Sequence, residues 1–414
     1  MPNAVSLTRR SALAQGGALT VTLWLSAEQP ARAEAPAAEA IHKRALVLDS
    51  HVDVLLPDTP ARVYPSWGGT YSDLPKLKAG QVDALVYAVA VSTGPRTPEG
   101  YVRARAEADA KLAAIKAIVA ASKGEAEIAL GAADVQRIAG QGKVAVLIGF
   151  LNAYSLGEDV AAFDGFAAQG VRVAGLVHAG NNAFADSSRP TKGTGEEHGG
   201  LSPLGRQAVA RLNDLGVVID VSQLTRKGLL QTIALSRAPV AATHSAARGL
   251  VDSARNLSDV ELDAIKANGG VVQVTAFTSY LLPKPVGYDA ALAALRARYG
   301  LSAEGVAYQG ADDLPEPAKT EFFKAYRGLY PEATVKDYVD HIDYIARRIG
   351  VDHVGVGTDF NHGAGISGFR DLGEAGAVTR ELVARGYTEG QIQKIWSGNF
   401  LRVLAAAEAA RKTT

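Results

Sequence analysis

No cysteine occurs in the 414-residue chain. Disulfides and thiolate metal sites are thereby excluded, and any metal must be held by histidine, carboxylate or amide oxygen. Neither charge is in excess, since Lys+Arg and Asp+Glu both number 43. That leaves no global field to draw the chain to nucleic acid or an acidic membrane surface. A basic stripe, an amphipathic anchor, an internal repeat and a low-complexity domain are also missing. The one apolar stretch near the N-terminus is short and interrupted, which disfavours a stable membrane span.

That stretch reads instead as an export leader. Arg9-Arg10 precede the mostly apolar Ala12 to Leu25, and Ala31-Arg32-Ala33 supplies a small-x-small cleavage site. The context Ser6-Leu7-Thr8-Arg9-Arg10-Ser11 resembles a twin-arginine signal. The expected organisation is a signal peptide over 1–33, a disordered Ala/Pro-rich lead-in over 34–40 and a single domain over 41–414. The expected location is the bacterial periplasm, or export.

The mature chain is long enough to bury one large core. Eight short apolar segments read as strands: 46–53, 82–91, 144–150, 171–178, 216–222, 239–244, 270–277 and 353–359. They lack polar alternation, as expected of parallel strands covered on both faces. Helical patterns fall between most of them, for example Tyr101 to Ser122, Ser202 to Leu215 and Val335 to Ile349. After Asp53 comes a loop with Pro57, Pro60, Pro65 and Gly68-Gly69, and residues 280–335 form a helical excursion between the seventh and eighth strands. The pattern predicts a (β/α)8 barrel of TIM type. An open doubly wound sheet is disfavoured, because no glycine-rich phosphate loop follows the first strand.

The polar residues that interrupt these strands gather at their C-terminal ends. They are His51 and Asp53, His178, Asp220, Ser222 and Gln223, His244, and Asp359. In a barrel those ends share one mouth, where active sites are built. His51 and Asp53, two apart on an extended backbone, present imidazole and carboxylate to one point. A divalent metal suits such mixed ligands, and it lowers the pKa of water and polarises a carbonyl. Asp359 is placed to ligate it and to take a proton from the attacking water. A free N–H on His178 would stabilise a developing oxyanion. Arg255, in the loop after the sixth strand, would hold a substrate carboxylate. The plainer alternative for Arg255 is a surface pair with Asp252 or Asp259.

In order along the chain, Asp49-Ser50-His51-Val52-Asp53, Asp73-Leu74-Pro75-Lys76-Leu77, Val177-His178-Ala179-Gly180-Asn181-Asn182, Gly200-Leu201-Ser202-Pro203-Leu204-Gly205, Thr243-His244-Ser245, Arg255-Asn256-Leu257 and Gly355-Val356-Gly357-Thr358-Asp359-Phe360 resemble the renal or membrane dipeptidases, peptidase family M19 of the amidohydrolase superfamily. The resemblance implies a (β/α)8 barrel with two zinc ions that cleaves dipeptides and related amides, and a homodimer. By position it makes His51, Asp53 and Asp359 ligands of the first metal and His244 a ligand of the second. It places His178 near the substrate carbonyl and Arg255 on the substrate carboxylate.

Two residues depart from the family. Leu151 stands where a metal-bridging glutamate is expected, and Gln223 where a histidine ligand is expected. Leucine has no ligand atom, and neutral glutamine is a poor replacement for imidazole. The expectation is therefore one zinc rather than two, with His198 and His362 as possible substitute ligands and Asn152 and Gln223 turned to hydrogen-bonding substrate. The expected function is an exported dipeptidase-like metallohydrolase acting on a dipeptide or small carboxylate-bearing amide. The alternatives are a metal-poor binding barrel without turnover, or a diverged lactonase, isomerase or lyase.

Overall fold

The computed structural model describes residues 31–56, 70, 72–190, 195–302, 310–311 and 314–412. Most of the expected leader, the loop containing Pro57, Pro60, Pro65 and Gly68-Gly69, and part of the excursion lie outside these residues. Among the described residues the sheet has nine strands: β1 (Leu48–Asp53), β2 (Ala84–Ala90), β3 (Ala126–Ile128), β4 (Val144–Leu151), β5 (Val171–Gly175), β6 (Val218–Asp220), β7 (Ala241–Ser245), β8 (Val271–Val274) and β9 (Val354–Val356). All pairings are parallel, and the order β1-β2-β4-β5-β6-β7-β8-β9 follows the chain. A bridge between Val52 and Phe360 brings the end of β9 back to β1. This is the expected TIM-type barrel.

The eight expected strands are the eight barrel strands. The ninth, β3, pairs outside the ring with β4. Its Ala-Glu-Ile sequence is only half-buried and offers no apolar run to betray it. Barrel strands such as β1, β2 and β4 are buried at every position, which is why they read as continuous apolar runs.

Helices begin where their caps dictate. The helix Pro98–Ala121 starts after Thr97, whose side chain accepts from the Gly100 N–H, and Pro203–Leu215 starts after Ser202, whose hydroxyl accepts from the Gly205 N–H. A Cβ on Gly205 would lie 2.1 Å from the Phe184 carbonyl oxygen, so only glycine lets this helix dock. The helix Asn399–Ala409 brings Phe400, Val403 and Leu404 into one cluster with residues at the strand starts, among them Leu48, Ala84, Ala145, Val218 and Ala241. The opposite, C-terminal strand ends are left for function. The excursion carries helices Tyr288–Arg298 and Ala318–Arg327 around a small core of Leu295, Ala311 and Phe322. No helix among the described residues is long and apolar enough to cross a membrane.

One expectation is corrected here. Residues 34–40 are not an unstructured lead-in but part of a helix, Ala31–Arg44. Alanine favours helix, and the segment has somewhere to dock. Ala38 is buried, and His42 joins the Thr379 hydroxyl at 2.7 Å and the Gly80 carbonyl at 2.9 Å, edge-on to Trp396.

Asp83 ties β2 to the lead of β1. It accepts the Val47 N–H at 2.8 Å, and burial pushes its carboxyl up to about 6. A raised folded pKa means that the folded chain holds the proton more tightly. The stabilisation is full below the ordinary value of 3.8 and is lost as pH rises through about 6. Asp83→Asn should therefore gain stability relative to wild type between pH 4 and pH 7. Thermal melts across that range check this, and a pH-independent difference would contradict it.

Candidate active site

The corner between β1 and β9 sets the site. Asp49 is fully buried, and burial pushes its carboxyl up to about 6. It accepts the backbone N–H groups of His51 (3.1 Å) and Thr358 (2.9 Å) and the Thr358 hydroxyl (2.5 Å). Two further bonds complete the seam, from Asp359 N–H to the His51 carbonyl (2.9 Å) and from Asp53 N–H to the Phe360 carbonyl (3.0 Å). Asp359 and Asn361 then take left-handed backbone, φ 64° and 66°. Such conformations in non-glycine residues concentrate at functional sites and persist where the surroundings enforce them. Here the Asn361 amide donates to the Asp53 carbonyl and the Ser72 hydroxyl.

Three side chains converge at this corner. His51 Nε2 lies 3.4 Å from Asp53 Oδ1 and 3.9 Å from Asp359 Oδ1. One ligand atom from each residue falls within 4.8 Å of the others. His51 Nε2 and Asp53 Oδ1 are buried with no hydrogen-bond partner. Two buried orphan lone pairs facing a second carboxylate are what a divalent cation would satisfy, so the first metal position fits these residues. The charges are tightly coupled. Burial lowers the His51 pKa, but Asp53, Asp359 and Asp220 outweigh it and hold it above the ordinary value. Burial and the neighbouring Asp53 charge raise Asp359. Asp53 is held far below the carboxylate range, because His362 and His51 overcome its burial.

His362 is not a substitute ligand in this arrangement. Its Nδ1 meets the other oxygen of Asp53 at 2.6 Å, so it orients a ligand from behind. His198 is not one either. Its Nε2 contacts the Asn182 carbonyl and its N–H donates to Asp186, which makes it a loop clamp.

The second half of the site is built differently. The His244 ring stacks on His51 at 3.8 Å between centroids. Its Nδ1 is 2.8 Å from the Thr243 hydroxyl, which also lies 3.3 Å from His51 Nδ1 and donates to Asp220 Oδ2 at 2.6 Å. With that hydroxyl as shared acceptor, both histidines carry a proton on Nδ1, and the neutral ring of each turns Nε2 outward as a lone pair. On His51 that lone pair faces the metal position. On His244 it is capped by the Gln223 amide at 3.1 Å. Asp220 could join His51 and His244 in a ligand group. Its Oδ1, however, already accepts from Ser222 N–H, the Ser222 hydroxyl and Thr243 N–H. Leu151, buried at the end of β4, supplies no ligand atom. These residues do not fit a second metal.

His178 is buried with Nδ1 unpartnered, edge-on to His362 at 5.1 Å. Burial, helped by His362 and Arg189, drives its pKa well below the ordinary value, so it is neutral. Arg255 is buried rather than paired with surface aspartates. It donates to the carbonyls of Ser222 (2.7 Å) and His244 (2.9 Å) and stacks over Tyr280, with Nε unpartnered.

Asn152 is not a substrate contact. Its amide donates to the Val91 carbonyl and the Thr93 hydroxyl, and its oxygen accepts from Tyr154 N–H and Asn182, so its capacity is spent within the fold. Gln223 is likewise committed, to His244 and Arg189. Strand-end position marks Asp220 without giving it a role, and the junction role of Thr243 and the contact of Arg189 with Gln223 appear only in the folded structure. No spacing signal marks Arg189, which sits in a loop.

The family model for membrane dipeptidase, peptidase family M19, matches residues 36–414. The chain belongs to this family. The M19 chain is 31% identical to dipeptidase tcpJ of Claviceps purpurea over 285 residues, which is 68% of this chain and 55% of that protein. It is 28% identical to dipeptidase aclJ of Aspergillus oryzae over 64% of this chain and 52% of that one. It thus spans just over half the length of these curated relatives. Among solved structures, it is 40% identical to the probable dipeptidase PvdM from Pseudomonas aeruginosa, with a TM-score of 0.81 over 92% of this chain and 99% of that one. A metallopeptidase, dipeptidase AC, matches at 26% identity and a TM-score of 0.69, covering 88% and 98%. The family is one of metal-dependent dipeptidase-type hydrolases.

Thr243 is the junction of the M19 site's two histidines and Asp220. Thr243→Val should leave these buried groups short of partners and cost about 2–4 kcal/mol. Urea denaturation measures this, and a loss below about 1 kcal/mol would contradict the junction role.

Proposed function

We propose that this M19 chain is an exported, one-metal hydrolase, with zinc as the metal, that cleaves a dipeptide or a small amide bearing a carboxylate. The observation that carries the reading is the pair of buried, unpartnered ligand atoms on His51 and Asp53 beside Asp359. His51, Asp53 and Asp359 would hold the ion, which supplies water of lowered pKa and Lewis-acid polarisation of a carbonyl. Arg255, fixed by two backbone carbonyls, takes the substrate carboxylate and sets the scissile bond over the mouth. Asp359, its basicity raised by burial and Asp53, accepts the proton of the attacking water. As the water oxygen bonds to the carbonyl carbon, neutral His178 donates an N–H to the oxygen that gains charge. Asp359 then passes its proton to the departing amine as the C–N bond breaks. The Arg9-Arg10 leader supports export to the periplasm.

A second reading, a binding barrel without turnover, is favoured by the closed second half of the site. Asp359→Asn separates the two. It should lower hydrolysis of a dipeptide panel by about 10²-fold or more, with folding unchanged by circular dichroism. Wild type inactive on every dipeptide and amide, or undiminished turnover in the variant, would overturn the assignment. Arg255→Ala should raise KM more than it lowers kcat, as steady-state kinetics would show.

A further inference from the structure

The Gln223 amide that caps His244 is itself held from behind. Arg189 Nη2 donates to Gln223 Oε1 at 2.9 Å, which fixes the amide and turns its nitrogen towards His244 Nε2. The bonds then run in one direction, from the Arg189 guanidinium through Gln223, His244 and the Thr243 hydroxyl to the Asp220 carboxylate. Each link of this relay pairs one donor with one acceptor. Its two ends are a cation and an anion, so each bond is polarised in the same sense.

Backbone pairing builds the arrangement in advance. Ser188 N–H donates to the Gln223 carbonyl at 2.9 Å, Thr225 N–H donates to the Asp186 carbonyl at 3.1 Å, and Ser187 bridges Leu224. The Arg189 backbone is pinned further by its own N–H on the Ser187 hydroxyl and by Gly180 N–H on its carbonyl. Tyr280 joins both guanidinium groups of the mouth, with its hydroxyl 3.5 Å from Arg189 and its ring under Arg255. The Arg189 charge reaches the rest of the site, since beside burial it helps to lower the pKa values of His178 and Arg255.

We propose that Arg189 is a fixed positive charge of the site's second half, wired through Gln223 to His244, and that it excludes a second metal ion and takes over that ion's electrostatic role. The proposal rests on the one-metal reading above and adds the residue that enforces it. Arg189 is a positioning residue here, acting through Gln223 and through its field.

Zinc calorimetry on the full-length, metal-stripped protein tests this without any turnover assay. Wild type should bind one zinc per chain. Restoring ligands by Leu151→Glu with Gln223→His should give a second, weak site. Adding Arg189→Gln should tighten that second site by about tenfold or more, because a fixed positive charge one side chain away from His244 is removed. Equal second-site affinity with and without Arg189 would overturn the proposal. So would a second zinc in wild type as tight as the first, or no second zinc in either variant. Loss of the first zinc from wild type would instead sink the one-metal reading and leave the Arg189 comparison standing. If the triple variant does not fold by circular dichroism, Gln223→His with and without Arg189→Gln gives the same comparison.

Discussion

A buried carboxylate closes the barrel. Asp49 takes three hydrogen bonds, from His51 N–H, Thr358 N–H and the Thr358 hydroxyl, and so ties the last barrel strand to the first. Burying a carboxylate is costly unless its lone pairs are satisfied, and here the satisfying groups are the residues next to the putting-together of the site: His51 itself and the neighbour of Asp359. The seam that completes the fold therefore also sets the spacing of the candidate metal ligands His51, Asp53 and Asp359. Gly357 shows how little slack the seam has, because a Cβ there would lie 1.9 Å from the Thr243 carbonyl oxygen and 2.5 Å from the Ser50 hydroxyl.

The two halves of the mouth solve opposite problems. In the first, His51 Nε2 and Asp53 Oδ1 are buried and unpartnered, while the atoms behind them are held by Thr243 and His362. In the second, the equivalent lone pair on His244 is consumed by an amide, and Asp220 is saturated by hydroxyl and backbone donors. One half is prepared for a cation and the other is satisfied without one. Under the one-metal proposal, a single ion beside two guanidinium groups would favour anionic substrates and stabilise charge on a carbonyl oxygen from several sides.

The barrel was legible because its strands are buried on both faces, which leaves an unbroken apolar signature, and because the polar exceptions stand at strand ends. His51, Asp53 and Asp359 could be read the same way. What stayed hidden belongs to long-range hydrogen bonding. Asn152 and Gln223 look like available amides until their partners at Val91, Thr93, His244 and Arg189 are seen. The helix Ala31–Arg44 was masked by an Ala/Pro composition, and its order comes from His42 docking against residues more than three hundred positions away. The short β3 has no apolar run, and Arg189 lies in a loop where spacing carries no meaning.

Anomalous diffraction at the zinc edge, from crystals of the zinc-loaded protein, addresses the account most directly. It predicts one strong peak per chain at bonding distance from His51 Nε2, Asp53 and Asp359, with none on His244. A peak bridging His244 and Asp220, or no peak beside His51, would contradict it.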